Sequence, residues 1–355
     1  MLRRFSARGF GCLEDVSVAL TPLHAFIGPN DSGKSTLLRA VELLCVAAGR
    51  RESDGARFDD DERVRDRSTG FSLAAESREG DRYAIAGEPR GELTETLRLA
   101  DGREHSQKLV ANGGGLSSQI PDPEAMRAFS GARLLRLWPA ALREKGTVFT
   151  GQRPLGFTNE NGAGLPTIYD EILGRAPEEF IAIRKEFLRL FPAVKRVQLV
   201  GSESSQKAFR FEMKSGRVLS TKEVSEGLLY YLAFAALRHL DPVAVLCVEE
   251  PENGLHPARI RDVVKILREV SESGTQVLLS THSPLLVNEL FPSEVTLLTR
   301  PSGGGTVATR LDDVPGYATR ADGQDLLPGE FWVRYCDGEA ETELLAPSSA
   351  TEAAE

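Results

Sequence analysis

The 355-residue sequence predicts an α/β fold: a phosphate-loop core built on a mixed central sheet, with an N-terminal antiparallel β subdomain and a helical region before its second half. Three short apolar runs predict it. Leu23–Ile27 runs into a glycine-rich loop and then a helix; Val243–Val248 ends in two glutamates; Thr275–Leu279 ends in "STHSP". Each run is continuous rather than alternating, the pattern of a strand covered on both faces, and each delivers polar residues at its C-terminal end.

Taken in chain order, Leu2–Phe5 and Val16–Leu20 alternate like short strands and lead into the strand before the loop. The loop satisfies GxxxxGKS with Gly28, Gly33, Lys34 and Ser35, followed by Thr36, and Leu37, Leu38, Val41 and Leu44 mark the apolar face of the next helix. Glycines let the backbone curl so that successive N–H groups point into one concavity, and the helix N-terminus adds partial positive charge there. That concavity fits a nucleotide's phosphates. Lys34 then reaches the β and γ phosphates and the Ser35 hydroxyl becomes a ligand for Mg²⁺. Without a nucleotide, the Lys34 head group is expected to face solvent. Asp31, an acid beside triphosphate, reads as a turn residue in left-handed geometry with its side chain pointing outward.

Gly49–Arg67 is a mixed-charge polar stretch that reads as a solvated loop. Phe71–Glu76, Arg82–Gly87, Leu93–Leu99 and Gln107–Val110, separated by Gly and Asp turns, predict an antiparallel meander. Ala111–Pro123 and Gly151–Gly164 are rich in Gly, Ser and Pro and read as flexible connections. Phe180, Ile181, Ile183, Phe187, Leu188 and Phe191 recur at helical spacing after Pro177, and Pro192 ends the run. Val197–Val200, Ala208–Met213 and Arg217–Leu219 suggest further strands. Ser225, Glu226 and Gly227 then precede a strongly apolar helix, where a serine hydroxyl and a glycine N–H form a second anion site. One chain cannot easily bring both sites to one triphosphate, but two chains arranged head to tail can.

In the C-terminal half, Glu249 and Glu250 close a buried strand at the edge where α/β sheets bind ligands. The first can hold Mg²⁺ or its water ligands, and the second can orient and polarise an attacking water. After Pro257, the residues Ile260, Val263, Val264, Ile266, Leu267 and Val270 form an apolar helix face. His256 in the preceding turn suits a helix start as well as a functional role. His282, after the third apolar run, is expected at the same sheet edge as Glu250, where it can hydrogen-bond the γ-phosphate or the attacking water.

Composition narrows the class. Hydrophobic content of 41% and charged content of 27% are those of an ordinary globular protein. The sequence has no apolar run near the roughly 20 residues needed to span a bilayer, and "MLRRFSARGF" lacks the apolar core of a signal peptide, so a cytoplasmic location is expected. Cys12, Cys45, Cys247 and Cys336 have no CxxC spacing and suggest neither zinc nor disulfides. A net charge of −9 argues against indiscriminate coating of nucleic acid, though a local basic groove fits within it.

Together these motifs resemble the ATP-binding-cassette ATPase superfamily, and within it the branch of AAA ATPases that includes the OLD, RecF-like and SMC-like proteins. The likeness runs from "LRRFSARGF" to "VLLSTHSPLLVNEL". It implies a P-loop NTPase fold of ABC-ATPase type with a helical signature subdomain, and ATP and Mg²⁺ as cofactors. Gly28, Pro29, Asn30, Ser32, Gly33, Lys34, Ser35 and Thr36 correspond to the Walker A loop, and Val243–Glu250 to Walker B, with Glu249 on the metal in place of the usual aspartate and Glu250 catalytic. "VSEGLL", with Ser225, Glu226 and Gly227, is similar to the signature motif, "ENGLHP" to the D-loop, and His282 to the switch histidine. Gln107, Gln119 and Gln152 all lie in polar stretches that assign none of them to the Q-loop.

The resemblance implies one ATPase domain over 1–335: a Walker A lobe at 1–50, the meander at 68–112, the helical and signature region at 124–240, and Walker B with the switch histidine at 241–310. An acidic tail follows at 336–355. It further implies a homodimer with ATP sandwiched at the interface, switching DNA or a separate effector such as a nuclease in defence or genome maintenance. The alternative is the ATPase subunit of a membrane transporter. "FWVRYCDGEAETELL", Phe331–Leu345, looks like the opening of a Toprim nuclease domain, an apolar strand followed by Asp337, Gly338 and Glu341. No later DxD pair completes a two-metal site, so no intrinsic nuclease activity is expected.

Overall fold

The computed structural model of the chain describes residues 1–49, 70–88, 93–109, 116, 123–147, 154–202, 205–301, 304–314, 317 and 327–336. The elements begin with β1 (Leu2–Phe10), β2 (Leu13–Ala19), β3 (Leu23–Ile27), α1 (Lys34–Ala48), β4 (Phe71–Ser77), β5 (Arg82–Gly87), β6 (Leu93–Arg98) and β7 (Glu104–Leu109). They continue with α2 (Pro123–Arg127), β8 (Ala132–Leu135), α3 (Pro139–Leu142), β9 (Gly146–Thr147), α4 (Leu165–Arg175), α5 (Pro177–Leu190), β10 (Val194–Ser202), β11 (Gln206–Met213) and β12 (Val218–Ser220). The last are α6 (Glu226–Ala236), β13 (Val245–Glu249), α7 (Pro257–Glu272), β14 (Gln276–Ser280), α8 (Pro284–Val287), β15 (Val295–Thr299), β16 (Val307–Arg310) and α9 (Pro328–Cys336).

The chain divides into two compact units, Met1–Ala132 with Leu278–Glu355, and Arg133–Val277. In the first, an antiparallel sheet runs in the order β2-β1-β4-β5-β6-β7. Its register sets apolar side chains opposite one another on one face: Phe5 faces Val18, Ala7 faces Val16 and Phe10 faces Leu13. Helix α1 packs on β1, β4 and β5 through a stripe that includes Leu37, Val41 and Leu44. Glu95 is fully buried on this sheet and accepts hydrogen bonds from Tyr83 Oη at 2.6 Å, Leu116 N–H at 2.8 Å and the Gln107 amide. Gln107 is thereby tied to a structural acid. Gln119 and Gln152, together with residues 50–69, lie outside the described residues.

The second sheet of this unit runs β16-β15-β3-β14. β3 and β15 are parallel, β15 and β16 antiparallel, and every residue of β3, β14 and β15 is buried, as a strand covered on both faces requires. His24 on β3 is buried with both ring nitrogens bonded, Nδ1 to Thr21 Oγ1 and Nε2 to Thr296 Oγ1, each at 2.9 Å. Burial, reinforced by the Arg310 charge, pulls its pKa down to about 3, so it stands neutral in the core.

The predicted strand at the head of the 331–345 stretch is instead helical. Pro328 opens α9, Phe331 and Trp332 are buried and Val333 and Arg334 are exposed, a pairing that strand alternation cannot produce. The helix packs on α8, with Gly329 N–H donating to Asn288 Oδ1 at 2.7 Å. Asp337, Gly338, Glu341 and the acidic tail lie outside the described residues.

In the second unit β13, buried throughout, pairs with β8. A smaller antiparallel sheet, β10-β11-β12 with β9 on β11, packs with α4 and α5. Its core is aromatic: Tyr169 meets Phe209 edge-on at 5.2 Å, and Phe191 meets Tyr231 at 5.5 Å. α6 is buried from Leu228 to Ala236, and α7 presents Ile260, Val263, Ile266 and Leu267 inward. Pro257 occupies the first turn of α7 and His256 caps it, its Nδ1 accepting from Ala258 N–H at 3.2 Å. His256 therefore serves as a helix start. Among the described residues, no helix is long and apolar enough to cross a membrane.

Candidate functional site

In the first unit β3 delivers the chain into residues 28–33, and α1 begins at Lys34. The turn depends on left-handed backbone at Asp31 (φ 64°) and Gly33 (φ 100°). A Cβ at Gly33 would lie 2.5 Å from Thr306 Oγ1 and 2.9 Å from Cys12 Sγ, so glycine is required there by space as well as by φ. Asp31 points outward as expected, its side chain 88% exposed and paired with Arg300 at 2.9 Å. Gly28 and Ser32 are buried, Asn30 and Ser35 exposed, and Pro29 and Thr36 intermediate.

Lys34 differs from the expectation. It is 7% exposed, and its Nζ donates to the carbonyls of Gly28 at 2.9 Å and Pro29 at 2.8 Å. The long side chain folds back over its own loop because a buried ammonium requires acceptors, and the loop's curled carbonyls supply them. In the same unit Thr281 N–H donates to Phe26 O at 3.2 Å, so the end of β14 lies beside the end of β3. The phosphate loop and the segment carrying His282 thus leave neighbouring strands. His282 is partly exposed, and its carbonyl accepts from the Trp332 indole N–H at 3.3 Å.

In the second unit Glu249 is the last residue of β13, 8% exposed, with Arg136 Nε 3.7 Å from its carboxylate. Glu250 has φ 46°, a left-handed conformation costly for a residue with a Cβ. Asn253 closes the turn: its N–H donates to Glu250 O at 3.1 Å and its Nδ2 to Glu250 Oε2 at 2.8 Å. The two glutamates line a cleft of about 550 Å³ with Arg136, Trp138, Glu160 and Tyr230.

Ser225 stands extended just before α6 and is exposed, while Glu226 and Gly227 form the first turn. Glu226 pairs with Arg143 at 3.4 Å. A Cβ on Gly227 would lie 3.2 Å from Gly254 O, and one on Gly254 would collide with the Tyr230 ring. The turn after Glu250 is therefore packed against the start of α6, and this unit gathers Glu249, Glu250, Ser225, Glu226 and Gly227 around one turn.

The sequence reading assigned nothing to Arg136, Asn253, Arg300, Thr306 or Trp332. Asn253 falls inside a recognised motif. For the others the only signal is a contact across long sequence separation. Taken unit by unit, the donors present suit the implied groups: in the first, a curled backbone with a lysine for phosphates and a serine hydroxyl for a hard cation such as Mg²⁺; in the second, a carboxylate of the kind that hard cations take.

The fold and the loop are those of the P-loop NTPase fold of ABC-ATPase type. Residues 1–77 match the model of the AAA ATPase domain, and residues 136–288 that of the AAA domain described as a putative AbiEii toxin of a type IV toxin–antitoxin system. The chain is 25% identical over 330 residues to the OLD nuclease of Thermus scotoductus, an alignment covering 81% of this chain and 60% of that protein. It spans, that is, less than two thirds of that relative's length. The crystal structure of an Smc head bound to the C-winged-helix domain of ScpA shares the fold, with a TM-score of 0.53 at 16% identity over 88% of this chain and 98% of that one. The chain is thus similar, stretch by stretch, to AAA ATPases, to an OLD nuclease and to an Smc head.

Proposed function

We propose that the chain is an ATP-hydrolysing switch that closes as a homodimer around ATP and acts on DNA or on a separate effector. The observation that carries the reading is the phosphate loop, a curled turn with Lys34 folded over it and Ser35 exposed in the first turn of α1. In this reading Gly28, Pro29, Asn30, Ser32 and Gly33 wrap the triphosphate with backbone N–H groups, Thr36 sits at the helix start, and Lys34 exchanges two loop carbonyls for the β and γ phosphates. Ser35 and Glu249 would hold Mg²⁺, which when bound neutralises charge on the β and γ oxygens. Glu250, fixed by Asn253, accepts the proton of the attacking water, and His282 contacts the γ-phosphate or that water. Ser225, Glu226 and Gly227 meet the ATP held by the second copy.

The relative is named a nuclease and the structural neighbour an Smc head bound to ScpA, which supports a DNA-linked role and a partner protein. Our reading leaves DNA cutting to the effector, with this chain working in the cytoplasm. The test is turnover of wild type and Glu250→Gln, with and without double-stranded DNA. Wild type should hydrolyse ATP, while Glu250→Gln should bind ATP and elute as a dimer with turnover reduced at least a hundredfold. Normal turnover in Glu250→Gln would refute the assignment.

A further inference from the structure

The phosphate loop is braced by a hairpin more than 260 positions away in the chain. Thr306, the residue just before β16 and 4% exposed, donates its hydroxyl to Ser32 O at 2.9 Å. Its own N–H donates to Cys12 O at 3.0 Å, and the Cys12 thiol also lies against Gly33. On the same hairpin, Arg300 ends in the ion pair with Asp31 at 2.9 Å and also donates Nε to Gly304 O at 3.2 Å. The Ser32 hydroxyl is buried without a hydrogen-bond partner, so it contributes nothing to holding the turn.

In a trans peptide the C=O and N–H of one unit point in opposite directions. The bond from Thr306 turns the Ser32 carbonyl toward the hairpin and so turns the Gly33 N–H away from it. Rotating that unit by half a turn would reverse both groups, presenting a carbonyl where an N–H had been. Glycine tolerates either sign of φ, so sterics at Gly33 do not choose between the two orientations. An outside bond must choose.

We propose that Thr306 is a positioning residue for nucleotide binding: its hydroxyl selects the Ser32–Gly33 peptide orientation in which the Gly33 N–H serves the phosphates. This rests on the ATP-binding reading above. Without the hydroxyl the competent orientation loses population, and apparent affinity falls by the same fraction. A flipped carbonyl weakens binding and leaves the hydrolytic residues in place, so the effect falls on KM and Kd rather than on kcat.

The experiment compares wild type, Thr306→Val, which keeps shape and removes the donor, and Thr306→Ser, which keeps the donor and removes a methyl. Calorimetry with ATP and steady-state kinetics are run on each. Thr306→Val should weaken Kd and raise KM about tenfold, the scale of one buried hydrogen bond, with kcat lowered less than twofold; Thr306→Ser should stay within about twofold of wild type. If the valine variant does not fold, Thr306→Ala takes its place with the same expectation. Equal Kd in wild type and the folded hydroxyl-less variant overturns the proposal, as does a serine variant as weak as valine. Failure of wild type itself to bind ATP would instead refute the ATP-binding reading.

Discussion

Acidification should weaken this fold through His24. Its folded pKa is about 3 against an ordinary 6.5, because burial and the Arg310 charge both oppose the imidazolium. At His24 the unfolded chain therefore binds more protons than the folded one between about pH 6.5 and pH 3. The stabilisation by neutral His24 is complete above about pH 6.5 and lost progressively as pH falls toward 3. Between about pH 7.5 and pH 4.5 the loss spans roughly two pKa units, or about 3 kcal/mol. The assay is urea unfolding at both pH values for wild type and His24→Gln, a neutral amide able to bond Thr21 and Thr296. Carboxylates titrate in both proteins and cancel in the double difference. Wild type should lose about 3 kcal/mol more than the variant on acidification. Since β3 leads directly into the phosphate loop, ATP affinity should fall over the same window. Coincident pH slopes for the two proteins would refute the reasoning.

Lys34→Ala removes two bonds from a charged donor to loop carbonyls, so it should lower stability by about 2–4 kcal/mol even without nucleotide, besides abolishing ATP binding. A urea midpoint equal to wild type would contradict the folded-back lysine. Mixing Lys34→Ala chains with Ser225→Arg chains should restore one working composite site per heterodimer, about half the wild-type rate per dimer, although each variant alone is inactive. Heterodimers shown to form by tagged pull-down yet silent in the ATPase assay would rule out the head-to-tail arrangement.

Chemistry written in consecutive residues was readable. GxxxxGKS, the apolar run before Glu249 and Glu250, and Pro177 opening an amphipathic helix each carry their own local cause. What escaped was set by distance. Nothing near Lys34 says that its ammonium is sated by its own loop, because that follows from the carbonyls' orientation in the folded turn. Thr306 and Trp332 are unremarkable in their own neighbourhoods and gain a role only where β16 and α9 meet residues far earlier in the chain. The error at Phe331–Cys336 has a different origin. A short apolar run fits a strand or a buried helix equally, and Pro328 three residues upstream, a helix-opening residue, was the discriminating signal.

The left-handed backbone at Glu250 bears on how this protein responds to selection for heat resistance. A side chain held at φ 46° costs on the order of 1–2 kcal/mol that glycine would not incur and asparagine would incur less. Sequence optimisation for thermal tolerance would therefore converge on Gly or Asn at 250, raising the melting temperature while discarding the carboxylate assigned to turnover. The turn marks a position where durability and activity favour different residues.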